Sequence, residues 1–381
     1  MKNIKNIVIA PDSFKESMTA QEAANAIEEG FMQIFPDWHY KKIPMADGGE
    51  GTVQSLVDAL GGRIKKVPAL DALGRESESF YGIIKNGKTA IIEIAASSGL
   101  EKIRKDKRNP MITTTWGLGD LISSALDEGV KEIIIGLGGS ATNDGGAGMI
   151  QRLGGKLLDK NGEQIAKGGQ YLKELCSIDL SELDSRLSQV SVIGAADVNN
   201  PLTGPEGASY IYGPQKGATI KQVEELDQNL KHYAQVIQKE LNLDINGIPA
   251  AGAAGGTAAG LVVFLGAYLK QGGQLVTELV GLEDKIKQAD LVITGEGGLN
   301  HQTIYGKTPI VVAQVAKKYD LPVIAIVGSI MDGHEAVYIE GIDSVFSILP
   351  KLSVEKQAFS EAYKNTVQTA RNIAATLEMT L

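Results

Sequence analysis

Five short segments hold 21 of this chain's glycines: MADGGEGT (45–52), GLGGSATNDGGAG (136–148), NPLTGPEGASYIYGPQKGA (200–218), GAAGGTAAG (252–260) and TGEGGLNHQTIYGKT (294–308). The whole chain has 45 glycines in 381 residues, about 12% against a usual value of roughly 7%. No Gly-X-Y period runs through them, which excludes collagen. The stretches between them have ordinary helix and strand patterns, which excludes a low-complexity chain. Glycine loses more backbone freedom on folding than any other residue, so such clusters mark places where the backbone must approach something closely. At least three of the five begin at a strand end or lead into a helix. That geometry aims backbone N–H groups and a positive helix end at one spot, which favours anions such as phosphate.

The periodicity between the clusters defines the fold class. At the start, the pattern predicts a strand over 4–10, a helix over 19–35, a strand over 39–45 and a helix over 51–60. Thr19 with Glu22 makes a capping box for the first helix. The end of the chain repeats this grammar, with strands at 291–294, 323–327 and 344–349, a helix at 309–319 and a long closing helix at 354–377. Strands alternating with helices imply a doubly wound parallel sheet with helices on both faces. The middle differs. A hairpin over 80–95 turning at Asn86-Gly87, a helix at 114–127, strands at 132–137 and 190–195, and a polar helix at 221–241 suggest a second α/β domain inserted into the first. The expected division is 1–75 plus 286–381 for a discontinuous flavodoxin-like domain and 76–285 for the insert. A flavodoxin-like strand order, 2-1-3-4-5, sets the strands ending at Ala10 and Thr294 side by side at the switch point, where ligands bind.

Several function classes drop out. The net charge is −9 and no basic patch with interleaved aromatics occurs, so nucleic acid is not an expected partner. The one cysteine, Cys176, cannot form an intramolecular disulfide, which fits a reducing cytoplasm. His39, His232, His301 and His334 lie far apart and make no zinc pattern. The apolar run near the N-terminus stops at Pro11 and Asp12, too short for a signal peptide. Residues 245–269 carry no charge, and Gly252, Gly256 and Gly260 have small-xxx-small spacing. The dense apolar part, 261–269, is nevertheless too short to cross a bilayer.

Chemistry-bearing residues gather at the strand ends. Asp12, Asp47, Asp197 and Glu296 each follow a predicted strand, while Glu93 lies inside one. Lys15, Lys216 and Lys307 lie beside the glycine loops. Phosphoryl transfer needs carboxylates to hold Mg²⁺ and orient an acceptor hydroxyl, with lysines and amides to hold phosphate. Two familiar patterns are near matches. Gly306-Lys307-Thr308 ends like a P-loop, but His301 stands where that loop needs glycine. Gly136 to Ala141 reads G-x-G-x-x-A after a strand, with Asp159 about 20 residues on. That match leaves open a nicotinamide-dependent dehydrogenase of a small hydroxy acid. A non-catalytic nucleotide-binding or membrane-associated module is a third reading, resting on the uncharged 245–269.

Taken in order, the segments IAPDSFKESMTA (9–20), PMADGGEGT, GLGGSATNDGGAG, ADVNNPLTGPEGA, YGPQKGA, GAAGGTAAGL and TGEGGLNHQTIYGKTP resemble the bacterial-type glycerate kinase family across essentially the whole chain. The resemblance implies a flavodoxin-like domain with an inserted α/β domain and an active site in the cleft between them. It also implies transfer of the ATP γ-phosphate to D-glycerate with Mg²⁺, giving 2-phosphoglycerate in preference to 3-phosphoglycerate. By motif position it carries over Lys15, Asp47, Asn143, Asp144, Asp197, Glu296, Gln302 and Lys307. The expected roles are Asp47 or Asp197 as the base, Lys15 on phosphate charge, and Asp144 and Glu296 on the metal. Gly138, Gly139, Ser140, Asn143, Gly255, Gly256, Gln302 and Lys307 are the expected binding residues. Gly298 and Asn300 depart from the family's usual Arg and Asp, and Asn199 stands where an acid is common.

Overall fold

The computed structural model describes residues 5–46, 48–49, 51–301, 303–304, 306–351 and 354–379. The chain divides into two compact units, residues 1–47, 54–61 and 272–381 in the first and residues 48–53 and 62–271 in the second.

The first unit is built on a five-stranded parallel sheet. Across it lie His39–Lys42, Asn6–Pro11, Leu291–Gly295, Val323–Val327 and Ser344–Ser347, which in chain order is 2-1-3-4-5. The central pair is in the expected register, with Ala10 opposite Thr294, and the Thr294 hydroxyl donates to the Ala10 carbonyl at 2.9 Å. The central strands are apolar and fully buried because helices cover both faces of such a sheet. The helix Ala20–Met32 carries the expected capping box, the Thr19 hydroxyl receiving the Glu22 N–H at 3.1 Å. This helix packs on the helix Ala362–Glu378, and Gly30 lets them meet: a Cβ there would lie 2.4 Å from the Val367 carbonyl. The single closing helix expected over 354–377 is two helices, Glu355–Ser360 and Ala362–Glu378. The chain leaves the helical region at Glu361, with φ −99° and ψ 0°.

The second unit has a six-stranded mixed sheet ordered Tyr268–Lys270, Ser191–Ala195, Glu132–Gly136, Thr89–Glu93, Glu76–Ile84 and Gly62–Leu70. The hairpin joining Glu76–Ile84 to Thr89–Glu93 is present. Its connection has four residues rather than two, because Ile84 pairs with Thr89 and Lys85, Asn86 and Gly87 all take positive φ. The edge strand Gly62–Leu70 has no apolar signature, and it contains Pro68, which a sheet accepts at an edge. Its pairing with Glu76–Ile84 moves the domain boundary from the expected 75 to 61. At the far end, Gly273 packs against Gly306 and Val311 of the first unit, so the boundary lies at 271 and not 285.

The uncharged stretch 245–269 is core. The helix Thr257–Leu265 lies within a cluster that includes Ile135, Ile150, Tyr233 and Leu261. Among the described residues, no helix is long and apolar enough to cross a membrane.

Candidate active site

The first unit gathers polar groups at the carboxyl ends of its two central strands. Asp12 follows the strand Asn6–Pro11, and its N–H donates to the Gly295 carbonyl at 2.8 Å. Its Oδ2 accepts the Thr308 hydroxyl at 2.6 Å, and Thr308 opens the helix Thr308–Lys317. Glu296 follows the neighbouring strand and is buried. Its Oε1 accepts the Thr303 hydroxyl at 2.6 Å, and its Oε2 lies 3.5 Å from the Lys307 ammonium. Lys15 sits in a tight turn in which the Met18 N–H donates to the Phe14 carbonyl, and its side chain is exposed. Gly297 fits against that turn, since a Cβ on it would lie 3.2 Å from the Lys15 nitrogen. Two carboxylates, a lysine and two threonine hydroxyls therefore gather at the switch point of the 2-1-3-4-5 sheet, where doubly wound folds bind ligands.

In the second unit the same position, after the strand Glu132–Gly136, leads into the loop 137–146. This loop is held from every side. Asp144 is completely buried and accepts four hydrogen bonds. These come from the Thr115 N–H at 2.8 Å, the Thr115 hydroxyl at 3.0 Å, and the Gly146 and Gly148 N–H groups, each at 3.3 Å. Burial pushes its carboxyl above the usual carboxylate range, and those four donors pull against that shift. The Asn143 amide nitrogen donates to the Ser209 hydroxyl at 3.0 Å, while its carbonyl oxygen is buried with no partner among the described residues. The Thr142 hydroxyl is likewise buried and unpartnered. The Lys216 ammonium, also buried, donates to the Ser140 hydroxyl at 3.0 Å and the Thr142 carbonyl at 2.7 Å.

Three of the glycine clusters converge on this loop. Gly255, at φ +67°, lies on its backbone: a Cβ would meet the Thr142 carbonyl at 2.0 Å. Gly256 and Gly260 pack on Gly145, and the Gly145 N–H donates to the Gly255 carbonyl at 3.0 Å. On the other side, a Cβ on Gly138 would stand 2.9 Å from the Gly49 Cα. Gly139 takes φ +71°, and the N–H groups of Gly138, Gly139 and Ser140 donate to no described acceptor.

The structure thus brings Glu296 and Lys307 together in one unit, and Ser140, Asn143, Asp144, Gly138, Gly139, Gly255 and Gly256 in the other. Asp197 is exposed just beyond the strand Ser191–Ala195. Glu93 ends its strand buried, its Oε1 accepting the Val53 N–H at 2.7 Å. Asp47 and Gln302 lie outside the described residues. Among the described residues, no group of three or more His, Cys, Asp or Glu could hold a metal.

Motif reading alone passed over Thr115, Ser209, Thr303 and Thr308. Ser209 was within reach, since it lies in the GPEGASYIY stretch beside the lysine-bearing YGPQKGA. The G-x-G-x-x-A pattern fails structurally as a dinucleotide site. Ten residues separate its strand from the next helix, Ala147–Arg152, so no helix opens on the second glycine.

The model of the glycerate kinase family matches residues 7–378. A glycerate kinase of Bacillus subtilis (strain 168) is 54% identical, covering 98% of this chain and 98% of its own. A glycerate 2-kinase of Escherichia coli (strain K12) is 53% identical, covering 97% of each. The crystal structure of a Salmonella typhimurium LT2 protein assigned as glycerate kinase 2 is 51% identical, superposes with a TM-score of 0.90 and covers 99% of both chains. This chain belongs to the glycerate kinase family.

Proposed function

We propose that this chain transfers the γ-phosphoryl group of ATP to the 2-hydroxyl of D-glycerate. The observation that carries this reading is the loop 138–144. It offers unpartnered N–H groups at Gly138, Gly139 and Ser140 for anionic oxygens and a buried, unpartnered Asn143 carbonyl for a hydroxyl donor. A buried polar atom without a partner costs about 1–3 kcal/mol, so a ligand hydroxyl that satisfies it gains affinity and orientation together. The choice of hydroxyl rests on the name of the Escherichia coli relative, a glycerate 2-kinase.

Preorganised donors supply most of the stabilisation in phosphoryl transfer, because charge spreads over the phosphoryl oxygens in the transition state. Here the Gly138–Ser140 amides take that part in the second unit, and Lys15 and Lys307 are the lysines proposed for phosphate charge in the first. Asp47 or Asp197 orients the acceptor hydroxyl and receives its proton. Glu296, with the Thr303 hydroxyl on its Oε1, supplies the oxygen donors that Mg²⁺ prefers, and would hold that ion together with phosphate oxygens. Bound there, Mg²⁺ would neutralise charge on the phosphates. Asp144 belongs to a different task, since four protein donors already occupy its two oxygens.

The test is an ADP-release assay with ATP and D-glycerate, followed by ³¹P NMR of the product. Turnover giving the 2-phospho ester is expected. Turnover giving only the 3-phospho ester would overturn the regiochemistry, and no turnover would overturn the reading. Asp197→Asn and Asp47→Asn separate the two candidate bases: the true base loses kcat by about 10²–10⁴-fold.

A further inference from the structure

The segment 208–217 reaches the active-site loop twice. The short helix Ala208–Tyr212 presents Ser209, whose hydroxyl receives the Asn143 amide. The 3-10 turn Pro214–Lys216 presents Lys216, whose ammonium bridges the Ser140 hydroxyl and the Thr142 carbonyl. Gly217 fixes that turn: it takes φ +92°, and a Cβ there would lie 2.4 Å from the Arg108 carbonyl. A lysine buried to 3% exposure, with two acceptors from one loop, is an unusual use of a side chain that normally keeps its charge in water.

We propose that Lys216 is a positioning residue of the phosphoryl-transfer site, holding the loop 140–144 so that the Asn143 carbonyl and the Gly138–Ser140 amides face the reactants, and that it does so as the protonated amine. This deepens the kinase reading above and rests on it. As an ammonium, Lys216 makes two charge-assisted hydrogen bonds, roughly twice as strong as neutral ones. As a neutral amine it donates weakly and lets go of the Thr142 carbonyl, which immediately precedes Asn143.

The surroundings place that proton within working pH. Burial pulls the Lys216 amine down from its ordinary value to about 7, and Asp144 opposes the shift. Other titratable groups on the packed elements do not face it as charges. The Tyr233 hydroxyl, which burial pushes up, donates to the Gly145 carbonyl at 3.3 Å. The Arg108 guanidinium turns to the Ile103 carbonyl at 3.3 Å and to Glu101 at 3.7 Å. Among these groups, Asp144 is therefore the charge that acts on the Lys216 proton.

The experiment is a pH profile of kcat/KM from pH 6 to 9 for the wild type, Lys216→Arg and Lys216→Met, with amide hydrogen exchange at pH 6.5 of Ala141 and Gly145, the loop residues whose N–H groups are bonded to Ser98 and Gly255. In the wild type kcat/KM falls as Lys216 loses its proton. Lys216→Met lowers kcat/KM about 10–100-fold at pH 6.5, mostly in kcat, and loses the alkaline fall. Lys216→Arg, whose guanidinium keeps its charge, recovers part of the activity and shows no fall below pH 9. Exchange in the loop speeds up at least tenfold in Lys216→Met. Should Lys216→Met not fold, Ser140→Ala removes one of the two bonds and gives the smaller version of the same loss. A Lys216→Met protein that folds, keeps the alkaline fall and protects the loop like the wild type would overturn the proposal. The kinase reading fails separately: glycerate is then not turned over by the wild type at any pH, while loop protection still depends on Lys216.

Discussion

Asp144 tests whether the loop 137–146 is held by the protein or by an ion. The carboxylate gathers the Thr115 N–H and hydroxyl, which start the helix Trp116–Asp127, and the Gly146 and Gly148 N–H groups, which start the helix Ala147–Arg152. Asp144→Ala leaves these buried donors without an acceptor. Each unsatisfied donor costs about 1–3 kcal/mol, the two at 3.3 Å falling at the low end, and loss of the buried charge offsets part of the sum. The expected loss is about 3–5 kcal/mol. In a unit of about two hundred residues that lowers Tm by roughly 6–20 °C in a calorimetric scan. Asp144→Asn is milder. Its amide oxygen can keep the three donors on Oδ2, and its NH₂ group then opposes only the Gly146 N–H, a loss of about 1–2 kcal/mol. The same substitution removes the negative charge facing Lys216, so the alkaline fall in kcat/KM should move to lower pH. The result that refutes this reasoning is an Asp144→Ala protein that melts within 2 °C of the wild type while its Mg²⁺ requirement rises tenfold. That outcome would make Asp144 a metal ligand, as its place in the motif first implied.

Thr308→Val removes a 2.6 Å hydrogen bond to the Asp12 carboxylate and should destabilise the first unit by about 1–2 kcal/mol, read as a fall in urea midpoint with the slope unchanged. Gly255→Ala places a Cβ 2.0 Å from the Thr142 carbonyl at a φ of +67°, so it should displace the Thr142–Asn143 backbone and cut kcat at least tenfold; wild-type activity in that variant would show that the loop moves freely. Gly298→Arg is the contrasting case. Its Cβ meets the flexible tip of Met331 at 2.9 Å and the Ser329 hydroxyl at an ordinary 3.5 Å, so Tm should stay within about 2 °C, and a fall beyond 5 °C would show that the position needs glycine.

The first unit was legible almost strand by strand, because its strands are buried on both faces and read as unbroken apolar runs such as VIAIV at 323–327. The capping box at Thr19 is equally local, needing only two residues three apart. The edge strand Gly62–Leu70 was not legible: it alternates weakly, and its pairing partner supplies the order that its own sequence lacks. The break at Glu361 has no glycine or proline to announce it. At the site, motif position pointed to Glu296, Lys307, Asn143 and Asp144 singly, and the 3.5 Å approach of Lys307 to Glu296 comes from the fold. It could not assign their work. Asp144 and Glu93 are both acids at or beyond a strand end, and only their donors show that each serves the backbone around it.

The glycine clusters acquire a sharper meaning from the same contacts. Read from the sequence, close approach points to phosphate. In the folded second unit most of the approach is chain to chain: Gly255 lies on Thr142, Gly256 and Gly260 on Gly145, and Gly138 on Gly49. The N–H groups of Gly138, Gly139 and Ser140, which donate to no described acceptor, remain for an anion. A loop that must offer free donors and a buried, unpartnered carbonyl is intrinsically unstable, since each unmet group favours collapse onto some other partner. The surrounding glycines remove the side chains that would keep supports at a distance, and Ser209, Lys216, Thr115 and Tyr233 then tie the loop at Asn143, Ser140, Thr142, Asp144 and Gly145. Glycine excess in this chain therefore follows the packing around the preorganised loop more closely than the number of phosphates bound. The cluster at 252–260, whose glycines support the loop from behind, is where substitution should raise the barrier to catalysis without touching a reactant.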